Sequence, residues 1–172
     1  MFSSLSKEIL FGKLTNGGVV ELTVENNKLK HNMYVVPIAL SDENKTIDMY
    51  FPNVVEATGL RNYGGSSTQK TDGMDESTKT TVSCHRLDDI YKGRVSLIKI
   101  DVEGHEKQVL EGGIETIKAN NYPKILFESW DANQSSEINT VELRKELFEF
   151  ITSIGYTHIV KVSHDMFVAE KS

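Results

Sequence analysis

Residues 97–106 read Leu97-Ile98-Lys99-Ile100-Asp101-Val102-Glu103-Gly104-His105-Glu106. Val95 to Ile100 is the clearest buried strand in the chain, and it ends in an acid. Three more ionisable residues follow within five positions. In open α/β sheets, ligands lie beyond the carboxyl ends of the strands, so Asp101 stands where a ligand would be met. Burying a carboxylate is costly unless it is paired or hydrogen-bonded. Asp101 can take a proton from a substrate hydroxyl, or hold a ligand's hydroxyl or amine. Glu103 and Glu106 have a plainer reading: acids in a first helical turn are favoured by the helix dipole. His105 reads as an exposed residue at the helix start.

Downstream, Val109, Leu110, Ile114 and Ile117 mark one side of a helix over 105–119. Gly112 and Gly113 weaken that helix by about 1 kcal/mol each relative to alanine, so close packing is the expected reason for them. Pro123 opens a strand from Ile125 to Glu128. Val141, Leu143, Leu147, Phe148, Ile151 and Ile154 predict a helix over 140–154, stopped by Gly155 at C′. Strands are expected at 157–162 and 166–170. Upstream, Leu87 to Tyr91 reads as a helical turn and Thr80 to Cys84 as a strand, with Cys84 a small buried filler. Residues 52–78 form a long polar loop. Thr46 to Phe51 reads as a strand neighbouring a buried strand at Met33 to Leu40. Val20, Leu22 and Val24 alternate as in a strand, and residues 2–14 carry the spacing of a short amphipathic helix. This order implies one α/β domain over 1–172, its sheet mostly parallel with a C-terminal antiparallel hairpin at one edge.

The composition excludes several function classes. The net charge is −6, with Lys and Arg scattered, which argues against the basic stripe of a nucleic-acid surface. No apolar run approaches the length of a membrane span. Met1 to Leu14 lacks the pattern of a signal peptide. The single cysteine forbids an internal disulfide and suits the cytoplasm. His31, His85, His158 and His164 are isolated, and read as structural or exposed. Trp130, two residues after Glu128, is a core or rim aromatic, or a residue that stacks on a ligand.

The run Leu97 to Glu106, Val109-Leu110-Glu111-Gly112-Gly113 and Ile125-Leu126-Phe127-Glu128 together resemble the core of the FkbM family of S-adenosylmethionine-dependent methyltransferases. Ile38-Ala39-Leu40-Ser41-Asp42, Gly64-Gly65-Ser66-Ser67, Arg86-Leu87-Asp88-Asp89, Gly155-Tyr156 and Asp165-Met166-Phe167-Val168-Ala169 continue the likeness. It spans residues 33–172. The resemblance implies a Rossmann-like class I methyltransferase sheet. It also implies S-adenosylmethionine as cofactor and O-methylation of a hydroxyl on a sugar or small metabolite. By motif, Ala39, Leu40 and Ser41 would line the adenine, and Asp101 would face the methyl group and the acceptor hydroxyl. Glu103 and Glu128 would shape the acceptor pocket, making Asp101, Glu103 and Glu128 the expected catalytic set.

The sequence departs from the family at its start. The acidic, glycine-rich loop after the first strand has no counterpart, so the first strand is expected to be missing. Residues 2–14 would then be the first helix, Val19 to Val24 the second strand, and Glu25 the acid that bonds the cofactor ribose. Without the first strand, the strand at 95–100 would lose a neighbour unless another segment fills the gap or the sheet is rearranged. An open edge also points to a homodimer. Two further readings stand beside the methyltransferase: an inactive remnant or binding module of the same fold, and a divalent-metal enzyme holding Mg²⁺ or Mn²⁺ through Asp101, Glu103, His105 and Glu128.

Overall fold

A computed structural model describes residues 9–12, 36, 38–50, 79–130 and 139–172. The chain divides into two compact units. The larger comprises Met1–Gly12, Leu40–Asn44 and His85–Ser172. Its five-stranded sheet is built from β1 (Ile9–Gly12), β5 (Leu97–Asp101), β6 (Lys124–Glu128), β7 (His158–Ser163) and β8 (Met166–Glu170). The strand order is β1-β5-β6-β8-β7. β1, β5 and β6 run parallel, whereas β8 is antiparallel to both β6 and β7. The sheet is therefore mixed rather than mostly parallel, because the hairpin supplies two of its five strands. The hairpin itself forms at the sheet edge, as its sequence spacing predicts.

The expected gap beside the Asp101 strand is filled. Ile9 to Gly12 pair in register with Ile98 to Asp101. This segment lies within the stretch whose apolar spacing predicts a helix. Helical spacing over one short stretch is a weak signal, and the unpaired edge of β5 offers it backbone partners instead. The strand expected at Val19 to Val24 and the loop over 52–78 lie outside the described residues.

Alternation along the strands sets the core. Ile98, Ile100, Ile125, Phe127 and Ala169 are at most 1% exposed, and Phe167 joins them on the same buried cluster. Their sequence neighbours Lys99, Asp101, Leu126 and Glu128 are only half-buried, as a period of two requires. Val109, Leu110, Ile117, Leu147 and Ile151 complete the cluster from the helices. Phe127 stacks on Phe167 with ring centroids 5.8 Å apart, and Phe148 meets both rings edge-on. Leu87 and Asp88 are buried within α1 (Leu87–Ile90).

The helix expected over 105–119 is two helices, α2 (Glu106–Glu111) and α3 (Ile114–Ala119). Gly112 and Gly113 stand at the break. A Cβ on Gly112 would lie 2.0 Å from the carbonyl oxygen of Ser41, so the backbone of Ser41 can approach only a glycine. The exposed amides at the start of α3 are met from elsewhere in the chain. Asp88 is 5% exposed and accepts the N–H groups of Thr116 at 2.7 Å and Glu115 at 3.2 Å. Arg86 lies 3.2 Å from the same carboxylate. The Leu-Asp-Asp segment thus performs a capping task. α4 (Thr140–Ser153) begins with Asn139, whose side chain accepts the N–H of Glu142 at 3.2 Å.

The second unit comprises Lys13–Ala39 and Lys45–Cys84. Antiparallel pairing joins β3 (Lys45–Met49) to β4 (Thr80–His85), with Lys45 opposite Cys84. The strand order of this sheet is β2-β4-β3, with β2 at Ala39–Leu40. The 46–51 segment is therefore not the neighbour of the 39–40 strand, since β4 lies between them. Val36, expected to be buried in that strand, is 58% exposed. Cys84 is buried, as expected.

Candidate active site

Strand register builds the site. In the parallel pair β5 and β6, Ile100 stands beside Phe127. The next residues, Asp101 and Glu128, therefore leave their strands side by side on one face. Glu103 joins them through the turn after β5. Its φ is +56°, and that of Gly104 is +93°, so two consecutive left-handed residues fold the chain back sharply. Ligand-capable oxygens of Asp101, Glu103 and Glu128 all lie within 4.8 Å of one another. The sequence-expected catalytic set is thus one cluster, and each member is half-buried.

The turn is held by Glu106. This residue is 6% exposed, and its carboxylate accepts the N–H groups of Gly104 at 3.1 Å and Val102 at 3.3 Å. Burial pushes its pKa up, against the pull of those backbone bonds. Glu106 is thereby a structural acid, in keeping with its place in the first helical turn.

Electrostatics separate the other acids. Lys99 lies 2.8 Å from Asp101. Glu128 is pushed up to about 7, first by burial and then by the charges of Asp101 and Glu103. One influence works the other way: the Trp130 indole N–H donates to Glu128 and favours its ionised form. A carboxyl that titrates near neutrality is suited to receive a proton and to release it again.

The remaining expected site residues are placed differently. Ala39 and Leu40 are half-buried. Ser41 is fully buried, and its hydroxyl lies 2.7 Å from Asp42 Oδ1 and 3.0 Å from His105 Nε2. That hydroxyl is taken up inside the fold. The same contact corrects the expectation that His105 is exposed: it is half-buried. Its Nε2 is turned to Ser41, and His105 is not part of the three-acid cluster. Glu25 lies outside the described residues.

A cleft opens next to Glu128, bounded by Gly104, Trp130, Leu143 and Glu146 among others. Sequence reading did not identify this cleft or the Trp130–Glu128 bond. The signal available was the separation of Glu128 and Trp130 by one residue at a strand end.

A family model for the methyltransferase FkbM domain matches residues 5–157. The chain belongs to the FkbM methyltransferase family. The fold agrees with the family's. The solved structure of methyltransferase FkbM from Methylobacillus flagellatus KT superposes with a TM-score of 0.51 at 12% sequence identity. The match covers 95% of this chain and 36% of that one, so this FkbM chain spans little more than a third of that relative's length. No curated protein matches it. Among the described residues, no helix is long and apolar enough to cross a membrane.

Proposed function

We propose that this FkbM-family chain is an S-adenosylmethionine-dependent methyltransferase that acts on a hydroxyl of a sugar or small metabolite. The observation that carries this reading is the convergence of Asp101, Glu103 and Glu128 within 4.8 Å at the carboxyl ends of β5 and β6, with Glu128 titrating at about 7. The donor chemistry of the cluster fits the cationic end of the cofactor: three acids attract a positive centre. Asp101 and Glu103 would hold that end. When bound, the cofactor supplies a methyl group on a positively charged sulfur and departs as S-adenosylhomocysteine.

The chain's own residues contribute alignment and a proton acceptor. Glu128, ionised, takes the proton of the acceptor hydroxyl as its oxygen forms the new bond to carbon. Asp101, paired with Lys99 at 2.8 Å, keeps the cofactor's cationic end in line with that hydroxyl. Glu106 fixes the turn that carries Glu103, so the cluster is pre-formed. Because Glu128 acts in its ionised form, methyl transfer rises with pH through about 7.

Calorimetric titration with S-adenosylhomocysteine tests the reading, followed by transfer of labelled methyl from the cofactor to hydroxyl acceptors. Saturable binding at one site and transfer abolished by Asp101→Asn support it. An absence of heat favours an inactive remnant or binding module that keeps the fold. Stabilisation by Mg²⁺ or Mn²⁺ alone, without cofactor binding, favours a metal enzyme instead.

A further inference from the structure

Glu103 reaches the acid cluster from a strained backbone position. Its φ is +56°, and that of Gly104 is +93°. A glutamate in the left-handed region persists only where its surroundings over-determine it. Glu106 holds the turn on one side, accepting the N–H groups of Val102 at 3.3 Å and Gly104 at 3.1 Å. Those two amides flank Glu103. The next residue, His105, is fixed separately.

His105 docks on Ser41, 64 positions away in sequence. The Ser41 hydroxyl has one proton, and it goes to Asp42 Oδ1 at 2.7 Å, since an ionised carboxylate can only accept. The 3.0 Å bond to His105 therefore runs the other way, from Nε2–H to the Ser41 oxygen. Ser41 is itself pinned at its backbone. It is fully buried, and its N–H donates to the carbonyl of His85 at 3.1 Å. Its carbonyl fits only against a glycine, because a Cβ on Gly112 would lie 2.0 Å from it. On the helix side, the carbonyl of His105 accepts the N–H of Val109 at 3.2 Å. The far end of the acid turn is thus tied both to α2 and to a rigid point outside the turn.

We infer that His105 is a positioning residue: its ring, docked on the buried hydroxyl of Ser41, holds the strained turn that delivers Glu103 to the acid cluster. The docking and the turn stand on geometry alone. The ligand that Glu103 meets, the cationic end of the cofactor, rests on the methyltransferase reading. His105 therefore affects cofactor binding through Glu103 and not by contact.

A double-mutant cycle separates these roles, read by calorimetric titration of S-adenosylmethionine into the purified chain without acceptor. Glu103→Gln and His105→Ala should each weaken binding by about tenfold, and the double variant by about tenfold rather than a hundredfold. Losses that multiply, or unchanged binding in His105→Ala, overturn the inference. His105→Gln keeps an N–H donor toward Ser41 and should recover most of the binding. A glutamine variant as weak as the alanine one also overturns it. If His105→Ala does not melt as a folded protein, Ser41→Ala breaks the same bond from the other side and takes its place in the cycle. Hydrogen exchange at the amides of Val102 and Gly104 reads the turn without cofactor or turnover. It should quicken by about tenfold in His105→Ala and stay near parental in His105→Gln. Unchanged exchange overturns the docking. If the parent chain binds no S-adenosylmethionine while exchange responds as expected, the methyltransferase reading falls and the clamp on the turn stands. If the parent binds it and the cycle shows no coupling, the reading stands and this inference falls.

Discussion

Two acids lie close together in this fold and have opposite fates. Glu106 sits at the first turn of α2, is 6% exposed, and receives two backbone N–H groups. Glu128 ends β6, is half-buried, and faces two other carboxylates with one indole N–H in support. Burial raises the pKa of both. The difference lies in what each acid is bonded to. A buried acid whose lone pairs are filled by the backbone holds a turn together. A buried acid crowded by like charges beside an open cleft is poised to exchange a proton.

The comparison predicts that substitution at Glu128 acts on chemistry and substitution at Glu106 acts on folding. The largest effect is expected from Glu128→Gln. Methyl transfer should fall by about 10² to 10⁴-fold, and the rise in rate through about pH 7 should vanish. A variant with near-parental rate and an unchanged pH profile would remove Glu128 from the proton path.

Glu106→Ala leaves the N–H groups of Val102 and Gly104 without their acceptor. Stability measured by urea denaturation should drop by about 2–3 kcal/mol, since an orphaned buried donor costs about 1–3 kcal/mol. Glu106→Gln keeps a side-chain oxygen and should lose much less. If both variants unfold at the parental urea concentration, the turn is held by something else.

Asp88→Ala removes the acceptor at the start of α3 and should cost about 1 kcal/mol, the usual value of a helix cap. It tests whether a distant acid satisfied by backbone amides behaves like Glu106, and an unchanged melting temperature would show that it does not.

The smallest effect sharpens the contrast through pH. Glu128 has a folded-state pKa of about 7, above its ordinary value of 4.5. Between those values the folded state holds more protons than the unfolded one, so this group's contribution to stability falls as pH rises. Glu128→Gln removes that loss. Its melting temperature relative to the parent should therefore improve from pH 5 to pH 8. A difference that is constant with pH would mean that Glu128 titrates in the folded state as it does in the unfolded chain.

Much of the framework was legible because strong local patterns agree with the tertiary outcome. The strands at 97–101, 124–128, 158–163 and 166–170 and the helix at 140–153 fall within a residue or two of their expected places. Asp101 was legible from its position at a strand end, whereas Glu103 and Glu128 were expected through the family resemblance. Other features depend on partners far along the chain. Nothing near residues 9–12 announces that β5 will pair with them. Nothing near Gly112 announces the carbonyl of Ser41, 2.0 Å from where its Cβ would be. His105 reads as exposed until Ser41 is folded against it.

The sequence alone determined the alternation that buries Ile98, Ile100, Ile125 and Phe127, the acids that end β5 and β6, and the family to which the chain belongs, because each is written in residue order and spacing. Tertiary structure decided the mixed sheet, the break between α2 and α3, the separate tasks of Glu106 and Glu128, and the wall that Trp130 gives the cleft. The physical reason is that pairing, close approach and charge proximity are set by distances in space, and residues adjacent in space are often far apart along the chain.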